Sequence, residues 1–352
     1  MNVRPLRDGE QNALLDLAGL WPSPDDYPMR DLFARYVEED ARFDPRDVWV
    51  AEGDGGALVS CVQIFPRKLV MHGKSVPIGG IGTVFTHPEH RSGGLAASVM
   101  RAAMDDMQGR AMELGLLFAG PVPFYEKLDW HSWEVQRPLL RPRGEGDPDA
   151  LAAAEAFDPA RDLAEVQEIH ASYSRLRDGF CARDSRDWWI SLRNSGHPSE
   201  EFLVARDVGR VVAYVRAVCL SRFLVIMEWG REQGATQALA SLFAALLTRR
   251  EDDPLAPAGR PSPEFRSVAS ASPILDQFLE AALEGCGIDV ATSEDAGSMF
   301  WVANPEAFAY RFGEPYRCRD TGDLEEPGER ERRLLARVLP PPRFAFWPAD
   351  RF

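Results

Sequence analysis

The chain has 352 residues, 45% hydrophobic and 27% charged, which is enough for two domains with the balance of an ordinary globular protein. Its 55 acidic against 40 basic side chains leave a net charge of −15, which argues against nucleic acid as a partner, because phosphate binding needs a basic face. Five widely spaced cysteines without a Cys-x-x-Cys pair, a start unlike a signal peptide, and no apolar run of about 18 residues predict a reduced cytoplasmic protein with no membrane partner.

In chain order, Asn2 to Pro5 reads as a strand, Gln11 to Gly19 as a helix, and Met29 to Glu39 as a second helix after a Pro-rich break holding Asp25 and Asp26. Val48 to Glu52, a Gly-Asp-Gly-Gly turn and Ala57 to Phe65 predict a hairpin, with a second hairpin from Arg67 to Ile78. Ile81 to Thr86 is an apolar run that His87-Pro88 ends, since proline cannot donate to a sheet ladder. Arg91-Ser92-Gly93-Gly94-Leu95-Ala96 then leads into a helix whose apolar residues Leu95, Val99, Ala103 and Met107 share a face. Leu114 to Gly120 supplies the next strand and Val122 to Leu128 a short helix.

A strand feeding a glycine turn feeding a helix start suits a phosphate. The first N–H groups of a helix lack intrahelical partners, and the macrodipole adds partial positive charge there. Gly93 and Gly94 remove Cβ atoms that would keep a diphosphate off the backbone, and Arg91 adds a cation. A plain turn is the competing reading on spacing alone. The stretch is neither a Walker loop nor a dinucleotide fingerprint.

After a loop-like stretch at 141–149 the order of elements repeats. Asp162 to Arg177 is a predicted helix, Phe202 to Val215 two strands around a glycine turn, and Phe223 to Trp229 an apolar strand. Arg231-x-x-Gly234-x-Thr236 then opens a helix to Arg249, and its single glycine favours a structural role over a working cofactor loop. Ser267 to Ala271, a helix from Ile274 to Leu283, and Met299 to Val302 are expected to complete this second copy. The chain ends in Phe344, Phe346, Trp347 and Phe352, aromatics that need burial and would fix the terminal carboxylate against the body of the protein.

Arg91-x-x-Gly94-x-Ala96 resembles the Arg/Gln-x-x-Gly-x-Gly/Ala signature of the GNAT N-acetyltransferase superfamily. Pro123-Phe124-Tyr125-Glu126-Lys127-Leu128-Asp129-Trp130 is similar to that superfamily's Phe-Tyr-Glu-Lys-Leu-Gly-Phe segment, with Asp129-Trp130 replacing Gly-Phe. Val48-Trp-Val-Ala, Gly82 to Arg91, Trp301 to Phe308 and the closing Asp350-Arg351-Phe352 resemble the Eis-type (enhanced intracellular survival) tandem acetyltransferases.

The resemblance implies an α/β fold, a mixed sheet with flanking helices, in two tandem GNAT-like domains. Their expected bounds are 1–142, catalytic, and 150–311, degenerate, with a tail at 312–352 returning towards the active site and no full sterol-carrier-like domain. It implies acetyl-CoA as acyl donor, a primary amine such as an aminoglycoside or polyamine as acceptor, no metal, and a homo-oligomer among the assembly states. Arg91, Ser92, Gly93, Gly94, Leu95 and Ala96 would hold the diphosphate, and the backbone of Val84, Phe85 and Thr86 the pantetheine and thioester carbonyl. Tyr125 would be the general acid and the terminal carboxylate of Phe352 the base, with Glu89, Glu126, His87 and His131 as alternative bases. Asp25 and Asp26 are candidates for the acceptor ammonium. A non-catalytic acyl-CoA-binding sensor module is the alternative, and transfer of a longer acyl group a third.

Overall fold

The computed structural model describes residues 2–22, 28–144, 153–175, 177–194, 200–220, 223–248, 269–271, 276–316, 328–341, 344–346 and 350. The apolar strands assemble into two seven-stranded mixed sheets flanked by helices. In the first sheet the order is β1 (Asn2–Pro5), β2 (Val48–Glu52), β3 (Leu58–Met71), β4 (Lys74–Thr86), β5 (Leu114–Phe118), β14 (Ser298–Val302) and β6 (His131–Ser132). All neighbours are antiparallel except β4 and β5, which the helix α3 (Leu95–Gly109) connects as a parallel crossover.

The first expected hairpin forms, β2 pairing antiparallel with β3, and the second, from Arg67 to Ile78, is the tip of one long hairpin of β3 with β4. β3 runs 14 residues and β4 runs 13, straight through Pro66, which stands exposed opposite Gly79. An exposed position lets the strand tolerate a residue with no N–H. The predicted apolar face of α3 is buried along Leu95, Val99, Ala103 and Met107, against Val62, Ile64, Ile81 and Leu117. Each of the larger side chains, Leu95, Val99 and Met107, contributes about 1.5–3 kcal/mol on leaving water.

The second sheet has the order β13 (Ile288–Asp295), β7 (Val135–Pro142), β12 (Ala269–Ala271), β11 (Phe223–Arg231), β10 (Arg210–Leu220), β9 (Glu200–Asp207) and β8 (Glu155–Ala156). Here α5 (Pro159–Ser174), α6 (Ser185–Asn194), α7 (Thr236–Thr248) and α8 (Gln277–Gly285) follow in chain order. Sequence reasoning missed α6 and β13.

The two halves exchange strands, so a cut between 142 and 150 separates strands from their sheets. β7 belongs to the sheet of the second half, and β14, expected to complete the second copy, lies between β5 and β6 of the first. The physical reason is apolar demand. β5 is buried from Leu114 to Leu117, and β14 supplies Met299 and Phe300, both fully buried, along its free edge.

The described part of the C-terminal segment is packed. Helix α10 (Glu329–Val338) follows α9 (Pro305–Phe312), and Leu334, Leu335, Val338, Phe344 and Phe346 join a core with Leu69, Leu116 and Phe300. Gly179, at φ +105, lets Phe344 and Ala345 approach so closely that a Cβ would stand 2.6 Å from the Ala345 carbonyl oxygen.

Candidate active site

The site begins where the sheet splays. Parallel pairing of β4 with β5 spans Ile78 to Ile81 and then stops, while pairing of β4 with β3 continues to Thr86. The register slips between Cys61 and Gln63, opposite Thr83, which takes φ +51. Positive φ in a β-branched residue costs about 1–3 kcal/mol and persists where surrounding structure enforces it, commonly at functional sites. The Cys61 thiol donates to the Thr83 carbonyl at 3.3 Å and helps hold the bulge. Beyond it, backbone groups of Val84 to Thr86 that face away from β3 border an open wedge.

The turn after β4 has two left-handed residues, Ser92 at φ +65 and Gly94 at φ +75. Gly94 is the N-cap of the 15-residue α3, with no side-chain cap. The first-turn amides of Leu95, Ala96 and Ala97 therefore carry unsatisfied donor capacity and the positive end of the helix dipole. A Cβ built at Gly94 meets nothing within 4 Å, so this cradle is open. Arg91 is held at the rim, its Nε donating to the Thr86 carbonyl at 3.2 Å and its guanidinium 5.6 Å from the Phe85 ring centre. Among the described residues it has no carboxylate partner.

The opposite wall comes from α4 (Val122–Glu126), which begins directly after β5. Tyr125 is 7% exposed and packs edge-on against Phe124, ring centres 4.9 Å apart. Burial pushes its phenol up to about 12. Its hydroxyl has no hydrogen-bond partner among the described residues. Asp129, standing where the family pattern has glycine, takes φ +62, a left-handed position that aspartate tolerates better than most side chains.

One cleft of about 500 Å³ brings these groups together, with Val84, Thr86, Arg91, Gly94 and Ala96 on one side and Tyr125 on the other. Ser92 and Leu95 also line it, as do His90, Ala97, Pro121 and Phe124, which sequence reasoning did not select. Pro121 and Phe124 flank the motif tyrosine, the one signal that could have found them. Phe85 is not in the wall: its side chain packs into the core with Leu14 and Phe33 and lies 5.5 Å from the Trp21 ring. Gly93 sits in the turn but does not line the cleft. Asp25, Asp26 and Phe352 lie outside the described residues.

The alternative bases fall elsewhere. His87 accepts from the Glu89 amide at 3.3 Å and stacks edge-on with His90, while Glu89 and Glu126 point to solvent. His131 faces Gly328, and burial followed by the Arg332 charge lowers its pKa. Among the described residues no group of three or more His, Cys, Asp or Glu side chains could hold a metal ion. No described helix is long and apolar enough to cross a membrane.

An uncapped helix start with a cation beside it suits a diphosphate, and a splayed strand facing a buried phenol suits a thioester arm. Residues 2–132 match the family described as acetyltransferase (GNAT) domain. Among curated proteins, the chain is 28% identical over 213 residues to an uncharacterized N-acetyltransferase of Streptomyces coelicolor. That match covers 55% of this chain and 49% of the relative, so it spans about half the relative's length. Among solved structures, a GCN5-related N-acetyltransferase from Anabaena variabilis superimposes with a TM-score of 0.62 at 14% identity, covering 86% of this chain and 73% of that one. Eis1 from Mycobacterium abscessus gives 0.54 at 15% identity, over 90% and 76%. At such identities these structures share the fold.

Proposed function

We propose that the protein transfers an acetyl group from acetyl-CoA to a primary amine, as an Eis-like tandem acetyltransferase. The observation that carries this reading is a single cleft in which the Arg91–Ala96 helix start and the Tyr125 phenol face each other. The donor, when bound, supplies an activated thioester. Arg91 and the α3 amides hold its diphosphate, and the backbone of Val84 to Thr86 orients the arm and polarises the carbonyl.

The acceptor must first lose a proton. An ammonium of pKa near 10 is neutral in only about one molecule in a thousand at pH 7, so a carboxylate acting directly or through water is needed. The Phe352 terminal carboxylate takes this role in the reading, with Asp25 and Asp26 attracting the ammonium. The neutral nitrogen would bond to the carbonyl carbon as the carbon–sulfur bond breaks, and the proton the nitrogen then sheds would pass to the departing sulfur, whose negative charge Tyr125 stabilises by donating a hydrogen bond. Two residues before Phe352, the partly buried Asp350 accepts from Arg183 Nε at 2.7 Å, and Arg183 also binds Glu228 of the second lobe. In this reading residues 1–142, completed by β14, form the catalytic half and residues 150–311, completed by β7, the supporting half, in a cytoplasmic protein.

The test is a panel of amines (aminoglycosides, polyamines, lysine peptides) assayed with acetyl-CoA by release of free thiol. Amine-dependent thiol release with a matching acetylated product supports transfer. Tight acetyl-CoA binding with no turnover on any amine points instead to a sensor module.

A further inference from the structure

Past Ile81 the strand β4 is no longer paired with β5, and among the described strands β3 alone holds its last residues. A strand end paired on one side is the kind of segment that opens locally, yet this one supplies Val84 and Thr86 to the cleft.

Ser60 of β3, fully buried and directly opposite Thr86, ties that end down. Its Oγ lies 2.8 Å from Thr86 Oγ1 and 3.2 Å from the Phe85 carbonyl oxygen. A hydroxyl has a single proton, so both contacts are satisfied when Thr86 donates to Ser60 and Ser60 donates to Phe85.

The same pair of residues holds Arg91. Its Nε donates to the Thr86 carbonyl at 3.2 Å, and its guanidinium lies 5.6 Å from the Phe85 ring centre. Arg91 is exposed, and an arginine side chain carries about 2 kcal/mol of rotamer entropy. Both contacts that limit this freedom belong to the residues that one Ser60 hydroxyl fixes. With Nε turned to a carbonyl, the terminal nitrogens of Arg91 are left to meet an oxyanion as a pair.

We propose that Ser60 is a positioning residue for the acyl donor: through Thr86 and Phe85 it fixes the guanidinium of Arg91 where the donor's diphosphate binds. The proposal rests on the acetyl-CoA reading of the cleft. Ser60 is absent from the cleft wall and acts only through those neighbours. A hydroxyl that merely satisfied its own hydrogen bonds would matter for stability and have no special link to Arg91.

The test measures coenzyme A binding calorimetrically in wild type, Ser60→Ala, Arg91→Ala and the double variant. Ser60→Ala is expected to weaken coenzyme A about fivefold, the worth of one well-placed hydrogen bond. In the Arg91→Ala background the same substitution should change affinity by less than about twofold, because the group it positions is gone. Equal weakening in both backgrounds marks a general structural defect and overturns the proposal, as does wild-type affinity in Ser60→Ala. Ser60→Cys, which keeps a side chain of similar shape with only a weak donor, carries the same comparison if Ser60→Ala fails to fold. A wild-type protein that binds no coenzyme A refutes the acetyl-CoA reading and the proposal with it, whereas binding indifferent to Ser60 refutes the proposal alone.

Discussion

Replacing Tyr125 by phenylalanine separates chemistry from architecture. The hydroxyl has no hydrogen-bond partner among the described residues, and the ring stays packed beside Leu128 and Met104, so its loss breaks no structural link. Burial lifts the phenol to about 12, so it is protonated throughout the neutral range. An ordinary thiol titrates near 8.5, so complete proton transfer from the phenol to a free thiolate is uphill by about 5 kcal/mol. Tyr125 therefore acts chiefly by donating a hydrogen bond as negative charge builds on sulfur, an interaction worth about 1.5–3 kcal/mol. The expected outcome for Tyr125→Phe is a kcat lower by about 10- to 100-fold, with acetyl-CoA affinity within about twofold of wild type and the melting temperature nearly unchanged. Thiol release under saturating donor gives kcat, and calorimetry gives the affinity. Undiminished kcat refutes the role. So does an alkaline limb near pH 8–9 that vanishes in the variant, because a phenol titrating there would contradict the effect of its burial.

Three further outcomes follow from the geometry. In Gly94→Ala the new methyl meets no atom within 4 Å, so stability should fall by only about the 1–2 kcal/mol of a left-handed alanine, while coenzyme A affinity drops at least tenfold on calorimetric titration. In the second lobe, burial pushes the Glu228 pKa up, but Arg183, His170 and Arg216 together push it further down, so the folded value lies well below the ordinary one. A depressed carboxylate contributes stability that is present above about pH 4.3 and lost below it, while burial, aided by Arg183, depresses His170, whose contribution is lost as pH falls below about 6.5. Urea denaturation should accordingly show lower stability at pH 5 than at pH 7, and Glu228→Gln should cost about 3–5 kcal/mol by leaving buried guanidiniums uncompensated; a flat pH response or a silent substitution would contradict this. Burial raises the Cys61 thiol to about 12 and also raises Cys181, so mass spectrometry after brief alkylation should find Cys286, which is partly exposed, modified before either.

The legible parts of the sequence were those where local chemistry repeats a period or fixes a turn. The apolar face of α3 was readable because Leu95, Val99, Ala103 and Met107 recur at helical spacing, and the cleft because Arg91, Gly94 and Tyr125 sit in two short patterns. What could not be read depends on pairing across long separations. Nothing local to Thr83 announces a positive φ, since the slip that imposes it arises from β3, about twenty residues earlier in the chain. Phe85, expected to act through its backbone, turns its side chain into the core while Val84 and Thr86 line the cleft, the alternation a strand imposes. In the second lobe Asp276 pairs with Arg231 and Arg177, which no spacing rule connects.

The strand exchange explains why a second half without a recognisable cofactor turn is built into the same fold as the first. β14 does not merely extend the first sheet; it grips β5 along its length and at both ends. The Ala119 amide, just beyond β5, donates to the Gly297 carbonyl at 2.8 Å, and the Glu113 carbonyl, just before it, accepts from Ala303 and Asn304 at 3.0 and 3.2 Å. The Glu113 carboxylate is in turn bound by Arg311 of α9. β5 leads directly into α4, so the position of Tyr125 relative to Gly94 is fixed from one side by β4 and from the other by residues 297 to 311. A displacement of about 1 Å at a reacting group is enough to cost a hundredfold in rate. Residues 297 to 311, reached only after the chain has built the second sheet, therefore act on the first-lobe cleft through backbone pairing.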